Sequence, residues 1–142
     1  PRRPVPGGED PKAWAGVLVA AANAAWKVAD ASKAVEDYQK VLALAQESDR
    51  MSATPTAKFF RGIASFYVGL DALQNAAAES KMKKPSNAKM CAFGKTAQDM
   101  FLETMTNMPA GGAIDRNVAS QVLQVVQQQS ATVDQIIKQT CR

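Results

Sequence analysis

Five stretches of this chain repeat apolar residues at three- and four-residue steps, and a helix-breaking signal closes each one. That period gathers the apolar residues on one face of a helix and leaves no alternating pattern for strands. In SKAVEDYQKVLALAQ, residues 32–46, Ala34, Tyr38, Val41 and Leu42 share a face, with Glu36, Asp37, Gln39 and Lys40 between them. A first helix is predicted over 11–28, with Pro11 in its first turn and an Ala-dense face (Ala20, Ala21, Ala24, Ala25) that lets a neighbour approach closely. Residues 30–32 should turn, and Ser32 should cap a second helix ending near Glu47. Thr54-Pro55, a hydroxyl followed by proline, opens a third helix that carries Phe59, Phe60, Ile63, Phe66, Tyr67, Leu70 and Leu73 to about Ser80. Ser86 should cap a fourth, stopped near Asn107 by Pro109-Ala110-Gly111-Gly112. Asp115 should cap a fifth running to Thr140, with residues 130–132 as a candidate kink. Short connections make chain neighbours antiparallel. The expectation is an all-α protein of about five helices in antiparallel hairpins: a Pro/Gly-rich linker over 1–10, hairpins over 11–47 and 55–108, and a final helix over 115–140.

A chain of 142 residues makes one domain and buries enough surface to need no metal for stability. Its net charge of +4 is mild, and its one dense basic run is Lys81, Lys83, Lys84, Lys89 and Lys95. That run reads as a solvated loop, with an anionic membrane surface or an acidic partner as its alternative use. Nucleic-acid binding is not expected. The longest apolar run, residues 13–26, is interrupted by Asn23 and is shorter than the roughly 20 residues that span a bilayer.

The chain has no histidine, which removes the commonest general base and the commonest neutral metal ligand. Cys91 and Cys141 are too few for a zinc site and permit one disulfide. Folding the fifth helix back from Gly111 would place residues near Ala131 opposite Cys91, about 15 Å short of Cys141, so the bridge needs a bend or a shifted register. FGKTA, residues 93–97, has the Gly-Lys-Thr end of a phosphate-binding loop, but Lys89 stands where its first glycine belongs and no strand precedes it. Asp99 and Glu103 lie one turn apart and read as a solvated helix face. Met82, Met90, Met100, Met105 and Met108 read as gap-filling residues. Phe59 and Phe60 point about 100° apart on a helix, and Trp14 and Trp26 fall on opposed sides of theirs, so Phe59 and Trp14 are candidate partner contacts along with Lys81, Lys83 and Lys84. No catalytic, cofactor-binding or metal-binding residue is expected.

The spacing within the helices resembles the tetratricopeptide repeat. Ala34 and Tyr38 match the small and aromatic positions of that family's second helix, with Val41 where alanine is usual and Gln46 where proline is usual. Ala97, Phe101, Thr104 and Pro109 repeat the spacing, and Gly62, Ala64, Phe66 and Gly69 in RGIASFYVG resemble the first helix of a repeat. The resemblance covers 12–110 in two degenerate copies, with the fifth helix as a C-terminal cap. It implies protein or peptide binding in a groove between helices. The expected function is therefore a non-enzymatic interaction module, an accessory or scaffolding subunit of a larger assembly, with no cofactor. The alternative is a small inhibitor or immunity-type protein with one enzyme partner. The disulfide and the linker-like N-terminus point to an extracytoplasmic, periplasmic setting at a bacterial membrane.

Overall fold

A computed structural model describes residues 10–142. The expected linker lies outside the described residues, apart from Asp10. Among the described residues there are five helices and no strand: α1 (Pro11–Ser32), α2 (Val35–Met51), α3 (Pro55–Ser80), α4 (Asn87–Gly111) and α5 (Arg116–Thr140). The fold is all-α. Side-chain oxygens of Asp10, Thr54, Ser86 and Asp115 accept the N–H groups of Ala13, Ala57, Lys89 and Val118, so four helices open on a side-chain cap, three of them at expected residues and the first at Asp10, a residue of the expected linker.

The helices as formed correct four expectations. α1 continues a turn past Val28 because Ala29 is buried; it stops where Lys33 turns left-handed, at φ 59°. Ser32 therefore does not cap α2. Its hydroxyl instead accepts the Ala34 N–H and donates to Asp37. Pro109 does not stop α4, which runs to Gly111 with the proline in its last turn. α5 is one continuous helix through residues 130–132, where the Ser130 hydroxyl bonds back to the Val126 carbonyl.

Successive helices pack as antiparallel neighbours, and α3 also touches α1 and α5. The backbones of α2 and α4 approach only their chain neighbours. So α1, α3 and α5 form one layer and α2 and α4 the other. The closest seam is α3 on α4. A Cβ placed on Gly62 would lie 3.0 Å from Met108 Cβ, and one on Gly69 would lie 2.6 Å from the Phe101 ring. Between them the buried Ser65 and Thr104 hydroxyls bond at 2.8 Å. Gly62 and Met108 lie equally far in sequence from Pro85, as do Gly69 and Phe101, so the pairing is a straight hairpin about that residue. Above the seam, Trp26, Tyr38, Phe60 and Tyr67 join α1, α2 and α3, with Tyr38 stacked on Tyr67 at 4.7 Å.

Cys91 and Cys141 are bridged, with Cα atoms 5.0 Å apart. The 15 Å shortfall disappears because the chain reverses at Asp115, not Gly111. Ala113, Ile114 and Asp115 donate to carbonyls of Ala110 and Gly111, so a last turn carries on past α4. Gly94 and Ile136, equally far from Asp115 in sequence, meet across this pair of helices.

Two stability measurements test this packing. Gly69→Ala should destabilise the protein by about 1–3 kcal/mol through overpacking, in spite of its gain in helix propensity. Gly16, also helical but with nothing within 4 Å of a Cβ, should gain up to about 1 kcal/mol as alanine. Urea unfolding of both variants checks the contrast. Opening the disulfide, which spans 50 residues, should remove about 4 kcal/mol in the chain-entropy model. Unfolding with and without reductant measures that loss, and non-reducing mass spectrometry should find no free thiol.

Candidate interaction groove

α3 has more large apolar residues than one buried face can absorb, because it meets all four other helices. Tyr67, Leu70, Leu73 and Gln74 remain at its surface or half-buried, and three adjoining hollows open along them. One of about 330 Å³ lies among Trp26 of α1, Phe66 and Tyr67 of α3, and Val118, Gln121 and Val125 of α5. A second, about 360 Å³, lies between Leu70, Leu73 and Ala77 of α3 and Gln129, Thr132 and Ile136 of α5. The third, about 250 Å³, extends past Leu70 and Gln74 to Tyr38 and Lys33 at the α1–α2 corner. Tyr67 is shared by the first and third, Leu70 and Gln74 by the second and third. The result is one interrupted groove with α3 as its floor.

The groove exists because α5 leans on α4 and only grazes α3. Gly94 is the contact point: a Cβ there would sit 3.0 Å from Ile136 and 3.2 Å from Ile137. This fixes the role of FGKTA, whose glycine lies buried inside α4 against α5. The groove walls combine apolar and aromatic side chains with Gln74, Gln121, Gln129 and Thr132, and its ionisable groups are Lys33, Asp71 and the two tyrosines. Burial pushes the Tyr38 phenol up against the opposing charge of Lys33, so it holds its proton at neutral pH. Such a lining suits an apolar segment with a few hydrogen-bonding groups. Among the described residues no group of three or more acidic, histidine or cysteine side chains could hold a metal ion.

The expected contact residues do not come together. Trp14 is half-buried near the start of α1, away from Trp26, which lines the groove. Phe59 is half-buried with its edge against Phe60 and its backbone under Gly111. Lys81, Lys83 and Lys84 are exposed in the α3–α4 loop at the opposite end of α3 from Phe59. The groove residues of α3 were visible in the sequence only as an overfull apolar stripe.

The strongest charge cluster lies at the other end of the molecule and is neutral overall. Arg61 grips both oxygens of Glu103, at 2.7 and 3.0 Å, and reaches Asp49 at 2.7 Å, while Lys58 reaches Asp49 at 3.0 Å. Gln46 also donates to Glu103. Glu103 is thus half-buried in an ion pair, which corrects the reading of a solvated Asp99/Glu103 face. Burial pushes the Asp49 carboxyl up, but hydrogen bonds from Lys58 and Arg61 outweigh it and leave it below its ordinary value. The fork with Glu103 holds the Arg61 guanidinium above its ordinary range against the effect of burial. With every buried side-chain polar atom among the described residues satisfied, the cluster reads as a clamp joining α2, α3 and α4.

Because the folded Asp49 carboxyl titrates below its unfolded value of 3.8, its stabilisation is complete above that pH and is lost as pH falls through the lower, folded value. Asp49→Asn should cost about 1–3 kcal/mol at neutral pH and flatten the loss of stability below pH 4, as measured by urea unfolding across the acid range.

Compared with family models, curated proteins and solved structures, the chain matches none.

Proposed function

We propose that this protein is a non-enzymatic interaction module that holds an apolar segment of a partner protein in the α3–α5 groove, as an accessory subunit of a larger assembly. The observation that carries this reading is the continuity of the three hollows about Tyr67 and Leu70. Rigid aromatic and aliphatic side chains flanked by amide hydrogen-bonding groups are what a helix or extended segment needs to dock with direction. The gap between α3 and α5 also fits the tetratricopeptide-like reading, since the resemblance implies protein or peptide binding in a groove between helices. The bridged cysteines fit an oxidising, extracytoplasmic compartment, and no helix among the described residues is long and apolar enough to cross a membrane. An assembly at the outer face of a bacterial membrane suits the bridged cysteines.

The test is native extraction in mild detergent, size fractionation and crosslinking mass spectrometry on the fractions that contain the chain. Co-migration with a larger assembly is expected, with crosslinks from the rims of the groove. Thr132→Arg, at an exposed position on the α5 wall, and Leu70→Glu on the floor should each release the partner by tenfold or more in affinity while the unfolding curve keeps its shape. Migration as a free single chain, or partner binding unchanged in both variants, would sink the proposal.

A further inference from the structure

From residue 80 to residue 98 the chain has five lysines and no acidic residue. Folding adds to this imbalance. The Cys91–Cys141 bridge draws the end of α5 against the start of α4 and so brings Lys138 and Arg142 beside Lys89 and the α3–α4 loop. Lys81, Lys83, Lys84, Lys89, Lys138 and Arg142 are all exposed. The nearest acids in sequence are Glu79, Asp134 and Asp99, the last exposed on α4 one turn beyond Lys95. Glu79 is half-buried and engaged at the base of the loop, where it accepts the Ser86 N–H at 3.0 Å; Asp134 lies one turn back along α5. In the midst of the loop lysines stands Met82, 58% exposed and among the most exposed large apolar side chains of the described residues.

We infer that this basic pole docks the protein on an anionic lipid surface, with Met82 entering the headgroup region and the six cations lying over lipid phosphates. Three features favour a lipid surface over an acidic protein or a nucleic acid. Five of the six cations are lysines, point charges on long flexible stems that follow a fluid array of phosphates. A protein docking site or a nucleic-acid site instead favours arginine forks and aromatic anchors, and the loop has neither. An exposed methionine surrounded by lysines combines the apolar and electrostatic attractions that interfacial binding needs together. The inference rests on the disulfide and the loop, not on the groove, so it stands or falls apart from the function proposed above.

The experiment is co-sedimentation of the oxidised 142-residue chain with phosphatidylcholine vesicles, with and without phosphatidylglycerol. Binding should need phosphatidylglycerol and should vanish near 1 M salt, where screening acts over about 3 Å. The variant K81Q/K83Q/K84Q should bind about a hundredfold more weakly, at about fivefold per lysine. M82S should lower binding further, and M82W should show a blue-shifted emission on anionic vesicles only. These side chains are exposed, so the urea midpoint should not move, and L70E should bind vesicles like the unaltered protein. Equal binding to both vesicle types, or none to either, overturns the inference. So does binding to soluble polyglutamate or duplex DNA at least as tight as to vesicles and indifferent to M82S, which would mark a general polyanion site.

Discussion

The architecture depends on how closely α4 can lie against α3. Gly62 and Gly69 remove the Cβ atoms that would hold the helices apart, and Met108 and Phe101 fill the space they leave. Close approach brings the Ser65 and Thr104 hydroxyls within hydrogen-bond reach, so a polar pair can be buried without loss. It also seats α3 deep enough to touch every other helix. A helix with four neighbours cannot segregate apolar and polar faces cleanly, and its surplus apolar side chains become the floor of the groove.

A second small residue shapes the opposite wall. Gly94 lets Ile136 and Ile137 settle on α4, which tilts the balance of α5's contacts toward α4 and away from α3. The disulfide then holds the end of α5 in that position. The gap left between α3 and α5 is therefore a consequence of tight packing one layer away.

Charge is handled differently at the two ends. Around Arg61 two cations and two carboxylates compensate one another, and burial strengthens each hydrogen bond while making an unpaired member costly. At the disulfide end the cations are in water and need no partner to be tolerated. Compensated charge holds helices together, and uncompensated charge is free to meet something outside the molecule.

The sequence by itself determined the five helices and most of their caps, because Thr54-Pro55, Ser86 and Asp115 act on hydrogen bonds within a single turn. It also carried the small-residue spacing of Gly62 and Gly69 and the possibility of the disulfide. Helix ends were legible only where the signal was local. Val28 and Pro109 misled because the burial of Ala29 and Gly111 outweighs a weak local preference. Tertiary structure decided the rest. The Cys91–Cys141 register turned on where the chain reverses after α4, and Glu103 left the solvated face only because Arg61 reaches it from another helix. Trp26, Tyr67 and Leu70 became groove residues because α5 packs elsewhere. Hydrogen bonds within a turn are written along the chain, whereas packing between helices depends on which residues distant parts of the chain bring to the same place.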